Sequence, residues 1–440
     1  MKDVRIGAGA GFAGDRIGPA VDLARDAQLD YLVFECLAER TIALAQLSKR
    51  QGRTAGFDPL LRERMEAVLP LCRKNGTRIV SNMGGANPQA AALETVSIAR
   101  RLDLSGLRVA WIAGDDVLNL FASGTEALPT GDPRERLVSA NAYLGAEPIV
   151  EALRGGADVV LTGRVADPSL FLAPLISEFG WGFDEWRRLG QGTAVGHLLE
   201  CAGQLTGGYF ADPGYKNVPR LDELGFPFAI VEESGEAKMT KLAGTGGTLN
   251  VRTCKEQILY EVHDPARYLT PDVTADFTGI RFTQAGSDAV RVSGATGTER
   301  PATLKVSTGF YAGFVSEGQI SYAGPGALSR AELARDILQK RLLWATKGDL
   351  QIDFIGVSAM HGAMLSRPSG EPYEVRLRAA GRFFEEAHAR LLMQEVESLY
   401  VNGPAGGGGV ATSLRENIAM DAAFIQRPSV APTIGYEVAL

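Results

Sequence analysis

Residues 156–167 read GADVVLTGRVAD. The segment 157–162 is a short apolar run, of the kind a strand buried on both faces requires. It stops directly on Gly163, Arg164 and Asp167, so charge appears where the apolar strand ends. Asp167 also suits an ordinary helix cap, whereas Arg164 does not.

The same unit recurs upstream. Apolar runs at 4–7, 31–35, 77–81 and 109–113 alternate with segments of helical period at 59–73, 88–101 and 148–155. Pro19, Pro59, Pro88 and Pro148 sit where a helix tolerates a missing N–H, and Gly76 and Gly156 sit where one stops. The repetition predicts an α/β fold: a mainly parallel sheet with flanking helices. The pattern breaks at 264–277, DPARYLTPDVTADF, so the expected domains are 1–268 and 269–440. The second reads as a C-terminal α+β domain. Its expected strands are 279–283, 289–293, 303–308, 351–357 and 374–379, with a last one within 414–425. Its expected helices are 330–346 and 383–400.

The chain of 440 residues suits two or three domains. With 45% apolar and 22% charged residues it has the composition of a globular protein, which excludes a disordered chain, a collagen and a coiled coil. A net charge of −7 argues against a nucleic-acid partner. No apolar run approaches the ~20 residues of a membrane span, and none follows the N-terminal charges as a signal peptide requires. A cytoplasmic protein with no membrane partner is expected. Cys36, Cys72, Cys201 and Cys254 form no C-x-x-C pair and suit buried thiols in a reducing compartment.

Ligands of parallel α/β sheets bind beyond the carboxyl ends of the strands. The polar residues found there are Asp15, Arg16, Glu35, Asn82, Asn87, Asp115, Arg164 and Asp167. Carboxylates beside arginines suit an anionic small-molecule substrate and the movement of protons. Glu35, Asp115 and His197 are the expected catalytic groups. Asp15, Arg16, Asn82, Asn87, Arg164 and Asp167 are expected to hold the substrate. His197 and Glu200 lie three apart and share a face of a helix, which orients an imidazole for acid–base work; a surface pair is the plain alternative. A divalent cation is the alternative use of the carboxylates.

Two glycine-rich stretches offer cofactor readings. Gly9, Gly11 and Gly14 match G-x-G-x-x-G after a strand, with Glu35 21 residues past Gly14. That supports a nicotinamide- or flavin-dependent oxidoreductase as the alternative, weakened by Asp15 and by the residues that intervene before Pro19. Gly244, Gly246 and Gly247 could form an anion-binding nest, but lack the G-K-[ST] ending of a P-loop.

Taken in order, GAGAGFAGDR, NMGGANP, ANAYLGAEPIVEAL, GADVVLTGRVAD, GHLLECAGQLTGG, EQILYEVHDPARYLTPDV and NGPAGGGG resemble the acyclic terpene utilisation family. The resemblance spans nearly the whole chain. It implies a catabolic protein of bacterial citronellol and geraniol breakdown, close to CoA-thioester or carboxylate chemistry. The expected function is a lyase or hydratase acting on an acyl-CoA or a carboxylate, with CoA entering as part of the substrate. A homo-oligomer is expected, with a small companion subunit where a separate domain is needed. A non-catalytic ligand-binding subunit of a complex is the third reading.

Overall fold

A computed structural model describes residues 2–124, 126, 136–345, 350–366 and 370–440. These residues divide into two compact units. One holds 2–124, 126, 138–308 and 420–440, and the other holds 136–137 and 309–419. The expected boundary at 268 therefore falls inside the first unit.

The first unit carries a ten-stranded sheet. Its strands are β1 (Asp3–Ala10), β2 (Tyr31–Phe34), β3 (Arg78–Ser81), β4 (Arg108–Ala113), β5 (Val159–Thr162), β6 (Pro227–Glu232), β7 (Ala237–Lys241), β8 (Arg281–Gly286), β9 (Ala289–Ser293) and β10 (Thr433–Val438). Their order is β8-β9-β7-β6-β1-β2-β3-β5-β4-β10. Strands β1 to β5 run parallel, and every other pairing in the sheet is antiparallel. The sheet is thus mixed, not mainly parallel. The reason lies in the connections. Parallel neighbours need a crossover, whereas β6–β7 and β8–β9 are joined by tight turns at Gly235 and at Gly286–Asp288, which impose hairpins. The strands expected near 279–283 and 289–293 exist, but they extend this sheet.

The parallel strands β2 and β5 are buried throughout, as their unbroken apolar runs require. Helices Gly18–Asp26, Leu61–Asn75 and Pro88–Arg101 pack on one another as one layer. Glu147–Arg154, Ser169–Phe179 and Trp186–Leu199 form a second. Neighbouring strands β3 and β5 send their chains to different layers: β3 leads to Pro88–Arg101 and β5 to Ser169–Phe179. Loops that part in this way open a crevice at the carboxyl edge.

In the second unit, Glu374–Phe383 pairs antiparallel with Leu350–Ile355 and with the 314–323 part of strand Thr303–Ala323. Ile320, Tyr322, Val375 and Leu377 form a core with Leu338, Leu392 and Val396 of helices Ala327–Arg341 and Glu386–Asn402. Residue 346, the expected end of the first of these helices, lies outside the described residues. No helix among the described residues is long and apolar enough to cross a membrane.

Candidate active site

A cavity of about 530 Å³ in the first unit is lined by Arg164, Asp167, His197, Glu200, Tyr143 and Lys305, among others. The loop after β5 supplies Arg164 and Asp167. Arg164 is buried, its Nη2 donates to Asp167 Oδ1 at 2.6 Å, and its guanidinium lies 4.3 Å from the centre of the Tyr143 ring. Its Nε and Nη1 have no partner among the described residues. Burial opposes its charge, but Asp167, Tyr143, Glu35 and Glu39 outweigh that and keep the guanidinium protonated.

His197 reaches the same cavity from the helix Trp186–Leu199. Three glycines interrupt this helix, at a cost in helix propensity that close packing recovers. A Cβ at Gly196 would lie 2.7 Å from the Pro168 carbonyl oxygen, so only glycine lets the helix settle against the loop that carries Asp167. His197 is buried, not on the surface. Its Nδ1 lies 2.6 Å from Glu200 Oε1, and Tyr268 and Phe277 flank its ring at 5.1 and 5.9 Å. His197 Nε2 and Glu200 Oε2 have no partner among the described residues. Burial disfavours the imidazolium, yet Glu200 raises His197 above its ordinary value; burial raises Glu200 too, with His197 opposing. Both shifts favour keeping a proton within the pair.

Glu35 sits at the end of β2. Its Oε1 accepts from Leu37 N at 2.9 Å and from Asn82 Nδ2 at 3.0 Å, and Asn82 Oδ1 accepts from Cys36 N at 2.7 Å. Asp115 braces Arg164 from beneath: its Oδ2 accepts from Arg164 N at 2.9 Å and from Asn141 Nδ2 at 2.8 Å. Burial pushes Asp115 up to about 6 and, with the Asp167 charge, Glu35 up to about 8. Glu35 therefore keeps its proton in the folded chain up to about pH 8, while the unfolded chain releases it near 4.5. Stability linked to this group is complete below pH 4.5 and falls as the pH climbs through that window. Between pH 5 and 8 the wild type should lose on the order of 1–3 kcal/mol more than Glu35→Gln. Urea midpoints at the two pH values check this; parallel losses would refute it.

Not every expected residue joins the cavity: Glu35, Asn82 and Asp115 pack behind it and are not among the residues that line it. Asn87 caps the helix Pro88–Arg101, accepting from Ala90 N and donating to the Ala55 carbonyl. Asp15 closes its own loop, accepting from Gly11 N at 2.9 Å and from Arg16 N at 2.8 Å. Arg64, buried beside Asp58, pins that loop by donating to the Ala13 carbonyl at 2.9 Å. Arg16 lies in a separate hollow with Gly244. The close approaches allowed by Gly9, Gly11 and Gly14 are to the protein itself: the Phe34 ring, the Cys201 backbone and the Phe12 ring. The amides of Gly246 and Gly247 donate to the Glu223 and Pro219 carbonyls, so they form no anion nest. No three His, Cys, Asp or Glu side chains among the described residues gather as a metal site.

The structure adds Glu39, Tyr143 and Lys305. Tyr143 Oη and Lys305 Nζ both donate to Glu39 Oε1, at 2.6 and 2.7 Å. Burial opposes the Glu39 charge, but these two bonds outweigh it and lower its pKa. Glu39 follows Glu35 by four residues, a spacing visible in the sequence. Tyr143 and Lys305 come from stretches outside the parallel strands and carried no local signal.

One protein family matches the chain. Its description is acyclic terpene utilisation family protein AtuA, and the match covers residues 4–436. No curated protein and no solved structure matches.

Proposed function

The chain belongs to the acyclic terpene utilisation family, and from that membership we propose that it is a catabolic enzyme doing acid–base chemistry on a small carboxylate or its CoA thioester. The reading is carried by one observation. Buried Arg164 and His197 line one cavity, and each holds polar nitrogens with no protein partner. Buried polar nitrogens left unpaired are costly, so a wall that keeps two guanidinium donors and one imidazole nitrogen unpaired is suited to the anionic group and the acidic proton of a ligand.

In this reading Arg164 grips the anionic group, held in place by Asp167 and by the Tyr143 face. His197 Nε2 takes a proton from the carbon next to the substrate carbonyl, and Glu200 steadies the resulting imidazolium. Glu35, raised by burial so that it holds its proton at neutral pH, adds no further negative charge beside Asp167 and Arg164. Leu304, Met420, Phe424, Pro271 and Pro301 line the same cavity and give an apolar chain a surface to lie on. A lyase or hydratase step uses this arrangement directly, since both begin or end with such a proton transfer.

The test uses geranate, citronellate and their CoA thioesters as probes in D₂O. Proton NMR should reveal exchange of the hydrogen next to the carbonyl in at least one probe, at a rate that depends on protein concentration. Binding without exchange would favour a ligand-binding subunit. Neither binding nor exchange would discard the reading.

A further inference from the structure

The acid–base pair His197–Glu200 is buried, and its outer atoms, Nε2 and Oε2, contact no protein partner. A pair enclosed in this way needs a route by which protons reach solvent. Four carboxylates line the cavity: Glu39, Asp167, Glu200 and Glu261. Three are tied to partners deep in the site: Glu39 holds Tyr143 and Lys305, Asp167 holds Arg164, and Glu200 holds His197. Glu261 is exposed, and its carboxylate accepts from the neighbouring Tyr260 hydroxyl. Its charge nevertheless acts on His197 and on Glu200.

The backbone at Glu261 sharpens the point. The helix Val251–Leu259 ends at Tyr260, and Glu261 follows with a φ of 60°. This is the left-handed position after a helix, where glycine is the residue that adopts the conformation without strain. The chain spends a glutamate there, and the cavity gains a carboxylate.

We propose that Glu261 is the proton relay of the cavity, passing protons between solvent and the buried His197–Glu200 pair. The proton leaves His197 Nε2, resides on the Glu261 carboxylate and passes to water or buffer; the return path runs in reverse, and no other bond changes. Glu261 thus acts through His197 and not on the substrate. The proposal rests on the acid–base reading of His197.

The test needs no substrate. With four histidines in the chain, ¹⁵N-histidine labelling resolves the His197 imidazole. In Glu261→Gln, exchange of its ring proton with water should slow about tenfold. Glu261→Asp and added free imidazole should each restore it, which a purely structural role would not allow. Glu261→Gly should show the same slowed exchange with a Tm no lower than wild type, because glycine suits the backbone there. Wild-type exchange in the Gln variant, or slowed exchange that neither the Asp variant nor imidazole restores, would overturn the relay. Slowed and rescuable exchange in a protein inert toward every carboxylate probe would keep the relay and discard the reaction.

Discussion

Replacing His197 by asparagine should lower the rate of proton exchange in a responsive probe by about 10²–10⁴-fold, the usual contribution of a positioned acid–base group. The fold should survive. Asparagine keeps a small polar side chain under Tyr268 and Phe277, and Glu200, already raised by burial, would simply hold its own proton. Glu200→Gln is the companion variant. It leaves the imidazole in place but replaces the carboxylate at Nδ1 by a neutral amide that cannot steady an imidazolium, so a smaller loss of about 10–100-fold is expected. Circular dichroism and the NMR exchange assay separate lost chemistry from lost structure. Exchange at the wild-type rate in the His197 variant would remove the imidazole from the reaction.

The second large effect belongs to Arg164. Its guanidinium is the buried positive charge between Asp167 and Glu39, and those carboxylates in turn stabilise it. Arg164→Met leaves them facing one another in a buried site, and removing one partner of such a group costs about 3–5 kcal/mol. The pH dependence has a definite sign. Burial already raises Asp167 in the wild type, and losing the cation raises it further, whereas Glu35 already holds its proton at pH 7. As the pH falls Asp167 takes up a proton and its repulsion with Glu39 ends, so the gap between variant and wild type should narrow from pH 7 to pH 5. Urea unfolding at both values measures it, and a Met variant as stable as wild type at pH 7 would contradict the electrostatic account. Arg164→Lys keeps the charge but loses the planar fork, so it should fold and bind carboxylate probes about 10–100-fold more weakly.

The parallel half of the sheet was legible because each strand is a separate apolar run between breakers. The segments 31–35 and 77–81 differ from β2 and β3 by one residue at an end, and the helix at 88–101 coincides with Pro88–Arg101. The antiparallel half was not legible as part of the same sheet. Strand β9 alternates inward and outward while β8 is almost wholly exposed, patterns that identify strands but not their neighbours, and proline near 265–271 suggested a break where the chain continues one unit. Strand β10 joins a partner more than 300 residues earlier, and no local pattern encodes that distance.

The site divides in the same way. Arg164 and Asp167 were visible because they follow a strand of the parallel set; Glu35, Asn82 and Asp115 follow strands of the same set but do not line the cavity. His197 was visible through its spacing to Glu200. Tyr143, Lys305 and Tyr268 were hidden because they arrive by long-range packing. Asp15, Asn87 and the glycines of Gly244–Gly247 misled for a shared reason: caps and tight turns use the residue types that bind anions, and here the chain's own amides and carbonyls satisfy them.

The late arrival of β10 has a consequence for biogenesis. During synthesis β4 leaves the ribosome long before the strand that covers it, and its open hydrogen-bonding flank persists until residues 433–438 emerge. A nascent chain stalled before that point presents a sticky border to its neighbours. Chaperone dependence and inclusion-body formation should therefore track truncations that remove this closing segment.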